Sequence, residues 1–118
     1  MINITNRLIY KNAEGLVTTL TSHLAGQKKI LSSGFDYKVQ IKQIAIGILE
    51  HGEAIPEHTH RDMDECYYIL EGEGLISIEG DCYELRPNIF LNVPASSLHS
   101  IKSTSSSLSF LYFCLEIA

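Results

Sequence analysis

Apolar and polar residues alternate along most of this chain in short runs, and from residue 38 onward no window sustains a 3.6-residue apolar period over three turns. The pattern predicts strands over 38–50, 54–59, 65–71, 75–79, 82–86, 90–93, 98–102 and 108–117. Gly72-Glu73-Gly74 and Gly80-Asp81 punctuate the middle of the set as hairpin turns, because glycine accepts the positive φ that such turns demand. Residues 103–107, almost all serine, read as a solvated turn between two apolar strands. Short strands at this spacing make a mainly β fold, a barrel or a sandwich.

The first 37 residues are less regular. Residues 16–24, rich in Thr and Val, suggest a strand, and residues 25–27 and 32–34 suggest loops. Two later strands are apolar on both faces. In the last, Phe110, Tyr112 and Cys114 alternate with Leu111, Phe113 and Leu115. In the first, Val39 and Ile41 lie on one parity and Ile44, Ile46 and Ile48 on the other, so either a bulge near Lys42-Gln43 switches the phase or both faces are covered. A second copy of the chain is the simplest cover, and a homodimer is expected.

Composition narrows the setting. At 118 residues the chain has the size of one domain, with residues 1–37 as N-terminal strands or arm and 38–117 as the barrel. Nine Lys plus Arg against fourteen Asp plus Glu give a net charge of −5, and the longest basic run is the pair Lys28-Lys29, so nucleic acid is not an expected partner. No apolar stretch approaches the roughly 20 residues of a membrane span, and the first residues lack a secretory pattern, so a cytoplasmic location is expected. Cys66, Cys82 and Cys114 are odd in number and too far apart for a CxxC pair, which predicts reduced cysteines that serve as small packing residues.

The chemistry lies in the placement of histidines. Gly52, His58, His60, Glu65 and Gly72 follow one another at intervals that this composition would produce by chance about once in ten thousand such chains. His58 and His60 stand two apart on an extended segment, so both imidazoles project from one face while Glu57 and Thr59 project from the other. Glu65 opens the next strand, where it can lie across from them. Imidazoles and a carboxylate, without thiolates, suit a borderline divalent ion: Fe(II), Mn(II), Ni(II) or Zn(II). His51, beside Gly52, reads as an exposed turn residue, and His23 has no spacing that ties it to the others.

The run GEAIPEHTHRDMDECYYILEG resembles the first motif of the cupin superfamily, matching its glycines, two histidines and glutamate. Residues 88–103 are similar to the second motif, with Pro94 at its proline and His99 at its histidine. The segment departs from it where Asn88 and Ser96 replace glycines, Ile89 an acidic residue and Ser103 an asparagine. Asn tolerates the left-handed conformation best among non-glycine residues, so Asn88 can keep its turn. The resemblance implies an all-β, cupin-type β-barrel, a double-stranded β-helix or jelly roll, with His99 as a fourth ligand beside His58, His60 and Glu65.

A divalent ion in such a site keeps one unit of positive formal charge, which favours an anionic, oxygen-bearing ligand. By strand alternation Tyr67 and Ile69 share the inward face of Glu65, making Tyr67 the nearest candidate proton donor or hydrogen-bond partner. Ile76 and Ile78, or their opposite-parity neighbours, are expected to complete a largely apolar pocket for a small molecule together with one face of the last strand. The leading expectation is a metal-dependent enzyme, an oxygenase, isomerase or lyase acting on a small carboxylate or sugar acid. The alternative is a binding or sensing module without chemistry.

Overall fold

The structure, a computed structural model, describes residues 8–20, 27–33 and 37–117. Its strands are β1 (Ile9–Asn12), β2 (Thr19–Leu20), β3 (Gln27–Lys28), β4 (Tyr37–Glu50), β5 (Ala54–His58), β6 (Met63–Glu71), β7 (Gly74–Ile78), β8 (Asp81–Leu85), β9 (Ile89–Val93), β10 (His99–Ser103) and β11 (Ser107–Ile117). Apart from a 3-10 turn at Ala13–Gly15, the described residues are strand, turn or irregular chain, and none of their helices is long and apolar enough to cross a membrane.

Two antiparallel sheets form a jelly-roll β-barrel: a five-stranded sheet in the order β1-β9-β6-β11-β4 and a four-stranded sheet in the order β5-β10-β7-β8. Their facing residues alternate with period two, and Ile69, Ile76, Leu91, Ile101, Leu108 and Phe110 meet between the sheets as one core, each 2% exposed or less. Burying each such side chain is worth about 1.5–3 kcal/mol, and this seam holds the sheets together.

All eight predicted strands are present, most with ends displaced by a residue or two. The β7–β8 turn falls on Glu79-Gly80, one residue before the predicted pair, and both have positive φ (50° and 86°), as a two-residue hairpin that follows the strand twist requires. Gly72, at φ +86°, cannot be replaced: a Cβ there would lie 1.8 Å from the Ser107 carbonyl oxygen. The N-terminal reading needs correction. Only Thr19–Leu20 of the expected 16–24 strand is extended among the described residues, Gln27 is in a strand rather than a loop, and β1, which pairs with β9, was not foreseen. A four-residue strand at a sheet edge carries too little alternation to be read from sequence.

The phase switch in β4 is a bulge. Cys114 pairs with Gln43 and Leu115 with Ile41, which leaves Lys42 as the extra residue. The bulge puts Ile41 on the same outer face as Ile44, Ile46 and Ile48, and all four are 54–62% exposed. Elsewhere on that face the cover comes from the chain itself: residues 28–33 and the side chains of Cys66, Phe90, Phe113 and Leu115 enclose a common cavity of about 580 Å³.

Candidate metal centre

Four side chains from different parts of the chain meet at one end of the barrel. His58 ends β5 and His99 begins β10, and the two are direct cross-strand partners on the four-stranded sheet. Glu65 reaches in from β6 on the opposite sheet, and His60 comes from the connection between them. One potential ligand atom from each of the four lies within 4.8 Å of all the others, so the group could hold a metal ion. His99 Nε2 is 2.9 Å and His60 Nε2 3.4 Å from the same oxygen, Glu65 Oε1.

The tautomers favour ligation. His58 Nδ1 is 2.8 Å from the Pro56 carbonyl and His99 Nδ1 is 2.9 Å from the Ser97 carbonyl. A carbonyl can only accept, so each Nδ1 carries a proton and Nε2 is the nitrogen left to ligate; on His99 that nitrogen shares a proton with Glu65 Oε1, which a metal would displace. The donor set therefore fits a borderline divalent ion. His99 and Glu65 are buried, while His58 and His60 are partly exposed and open the site to solvent on one side.

Without a metal the site stores a proton. Burial works against the charge on Glu65, but the His99 hydrogen bond, the charges of His60 and His99 and a Tyr67 hydrogen bond outweigh it, and the carboxyl pKa falls. Burial likewise opposes charge on His99, yet its bonds to Glu65 and Ser97 raise its pKa. The remaining Glu65 oxygen, Oε2, accepts from the Cys114 thiol at 3.8 Å. Burial first and Glu65 second push that thiol up to about 11 and the Tyr67 phenol well above its ordinary value, so both remain protonated donors to the carboxylate.

Cys114 thus corrects one expectation: it packs, as predicted, but it also holds a site residue. The sequence signal was its parity, since Cys114 pairs across the sheet with Glu65 and Tyr112 with Tyr67. Exposed Cys82 and buried Cys66 are free, and Cys66 donates to Asn92 Oδ1 at 3.1 Å. His51 is exposed in its turn, with Nδ1 2.9 Å from the Ser105 carbonyl, and His23 lies outside the described residues.

Beside the cluster lies a cavity of about 350 Å³, lined in part by Gln43, Leu49, Ile55, Met63, Tyr67 and Tyr112. Ile76 and Ile78, expected in this wall, are instead buried in the core, and β4 takes their place. The expectation erred because strand parity says which face a residue occupies but not which strands border the opening: Ile78 pairs with His99, yet β7 lies across β10 from β5, away from the cavity. Among the described residues, no Lys or Arg lines the cavity.

The second motif keeps its turns without its glycines: Asn88 and Ser96 stand at φ 75° and 69°. The Ser96 N–H donates to the His60 carbonyl at 2.5 Å, which ties the turn before His99 to the first motif. A buried acid absent from the sequence reading, Asp64, accepts from the Ala95 N–H at 2.7 Å and from Asn92 Nδ2 at 3.1 Å. Its signal was an acid on the outward parity of β6, beside apolar Cys66.

A β-barrel of two antiparallel sheets with three histidines and a glutamate at one end defines a class of small proteins built to offer a metal-binding group. Residues 45–115 match the cupin domain, and the chain belongs to that family. It is 28% identical over 71 residues to a 5-nitrosalicylic acid 1,2-dioxygenase of Bradyrhizobium sp, covering 60% of this chain and 34% of that protein. It is 37% identical over 54 residues to a quercetin 2,3-dioxygenase of Bacillus subtilis, covering 46% of this chain and 16% of that protein. Both relatives are therefore much longer than the stretch they share with it. A predicted oxalate decarboxylase from Thermotoga maritima has the same fold, with TM-score 0.63 and 20% identity over 89% of this chain and 96% of its own.

Proposed function

We propose that the chain is a divalent-metal-dependent enzyme acting on a small oxygen-rich carboxylate or sugar acid. Its ion, Fe(II), Mn(II), Ni(II) or Zn(II), would be held by His58, His60, Glu65 and His99. The observation that carries the reading is the convergence of these four donors beside a 350 Å³ cavity that His58, His60 and Glu65 line. When bound, the ion supplies Lewis-acid polarisation of a carbonyl or carboxylate oxygen and, if it is iron, redox chemistry.

The chain's own residues do the rest. His58 and His99 turn Nε2 to the centre because backbone carbonyls hold their Nδ1 protons, and a metal would displace the proton that His99 Nε2 shares with Glu65. Cys114 engages Glu65 Oε2, which leaves Oε1 facing the imidazoles. Tyr67 keeps its hydroxyl proton against Glu65 and is the candidate proton donor of the site. With no cation in the described lining, the only attraction for an anionic head is the centre itself, and the apolar wall strengthens it by excluding water. Substrates with a second charged group, such as a phosphate, are disfavoured. Similarity to the two dioxygenases favours a carboxylate or enol oxygen as the anchoring group.

Metal analysis of protein purified without added metal, followed by incubation with 2-hydroxy, 2-oxo and phenolic carboxylates and sugar acids in air and under argon, tests the reading. Conversion of one of them supports it, and oxygen uptake identifies an oxygenase. Tight binding without conversion under either atmosphere would assign a binding module instead.

The outer stripe of Ile41, Ile44, Ile46 and Ile48 supports a second proposal, that two copies pair through β4 as a homodimer. Residues 28–33 already cover the middle of that face, and the stripe lies beyond them on an edge strand.

A further inference from the structure

We infer that Asp64, on the side of the sheet away from the centre, is a positioning residue that sets the His99 and His60 donors through the turn between β9 and β10. The inference rests on the proposed metal centre and assigns its second layer of support.

Asp64 is fully buried (0% exposed), and its carboxylate accepts from the Ala95 N–H at 2.7 Å and from the Asn92 side-chain amide at 3.1 Å. Ala95 is the second residue of a four-residue turn closed by the Ser97 N–H to the Pro94 carbonyl at 3.2 Å and by the Ser97 hydroxyl to the same carbonyl at 2.5 Å. The third residue, Ser96, stands at φ 69°, the geometry of a type II turn. This turn meets the centre twice. The Ser97 carbonyl orients the His99 ring through Nδ1, and the Ser96 N–H takes the carbonyl of His60.

A serine at positive φ is strained and persists only where its surroundings hold it. The charge-assisted bond from Ala95 to Asp64 is the anchor on the residue just before it. Asp64 is also the chain neighbour of Glu65. One carboxylate therefore fixes, through backbone alone, the relative placement of donors that come from β6, β10 and the His60 connection.

The test measures Co(II) affinity by chelator competition, together with the d–d absorption bands of bound Co(II), in wild type, Asp64→Asn and Ala95→Pro. Proline suits the second position of a type II turn, so Ala95→Pro keeps the turn while it deletes the N–H. A core variant away from the turn, Leu85→Ala, serves as the control for lost stability. Both turn variants should bind Co(II) about tenfold or more weaker with altered d–d bands, as loss of outer support around a metal ligand does. Leu85→Ala should lower Tm and leave both readings unchanged. If Asp64→Asn does not fold, Ala95→Pro decides alone. Wild-type affinity and spectrum in Ala95→Pro, or in a folded Asp64→Asn, would overturn the inference and leave the metal centre standing. Equal weakening in Leu85→Ala would reduce Asp64 to general stability. A wild-type protein that takes up no Co(II) would overturn the centre and, with it, this inference.

Discussion

The two faces of the five-stranded sheet differ most plainly at Glu65 and Asp64, adjacent buried acids on β6 that point to opposite sides. Glu65 is satisfied chiefly by imidazoles, partners that exchange protons and that a metal can engage in its place. Asp64 accepts from a backbone N–H and an amide, which do neither. Burial alone therefore does not mark a functional acid. The partner decides, because only a displaceable partner lets a ligand enter without leaving an unpaired charge behind. The inner face thus carries exchangeable chemistry and the outer face carries support, with an apolar edge left over at β4.

The most damaging change to the inner face should be His60→Ala. His60 is the more exposed of the two imidazoles beside Glu65 Oε1, its side chain 32% exposed against 2% for His99, so truncation should cost little stability. Three remaining ligands would hold the ion weakly, and metal content and turnover should both be lost while the metal-free Tm stays within a degree or two of wild type. Metal analysis and calorimetry read the two halves. Full metal content in the variant would remove His60 from the ligand set.

Tyr67→Phe should have the next largest effect. The ring packs against Phe110 and Tyr112, with centroids at 5.5 and 5.8 Å, so the fold should survive loss of the hydroxyl. If that hydroxyl moves a proton, turnover should fall by about 10²-fold with the metal retained. Unchanged turnover would make Tyr67 a packing residue that happens to steady Glu65.

On the outer face, Ile46→Glu should convert a dimer into a monomer. Ile46 is 61% exposed at the middle of the β4 stripe, so the charge is harmless to an isolated barrel and unfavourable inside an apolar interface. Sedimentation at micromolar concentration checks it. A monomeric wild-type protein would mean that the N-terminal segment completes the cover of its own sheet.

Much of this contrast was legible in the sequence, for reasons that differ by region. Alternation over β4 to β11 is strong because one face of each strand is buried, and the intervals between Gly52, His58, His60, Glu65 and Gly72 reflect a fixed strand–turn–strand path. The β4 bulge was readable because Val39 and Ile41 are out of phase with Ile44. What stayed hidden depends on contacts between distant segments. The role of Asp64 requires Ala95 and Asn92, and that of Cys114 requires Glu65, pairings set by register across the sheet. The cavity wall was misassigned to Ile76 and Ile78 for the same reason, since alternation carries no record of which strands lie side by side around a barrel.

The smallest effect, in stability against pH, separates the two acids most cleanly. In the metal-free protein the lowered pKa of Glu65 contributes stability that is present above its ordinary value of 4.5 and lost as pH falls through the depressed one. The raised pKa of His99 contributes stability that is complete below 6.5 and lost as pH rises through the raised value. The pair therefore helps most between these limits, and chelated protein should lose Tm as pH climbs above 6.5. Metal must displace the His99 proton, so its affinity, and with it the stabilisation it gives, should increase over the same range. Thermal melts at pH 6 and pH 9, with chelator and with saturating metal, should diverge as pH rises. His99→Ala should abolish the alkaline loss in chelated protein, whereas Asp64→Asn should leave it in place, because the Ala95 N–H and the Asn92 amide bonded to Asp64 exchange no proton in that range. Chelated wild type whose Tm is flat from pH 6 to pH 9 would show that the Glu65–His99 pair does not carry the proton this account gives it.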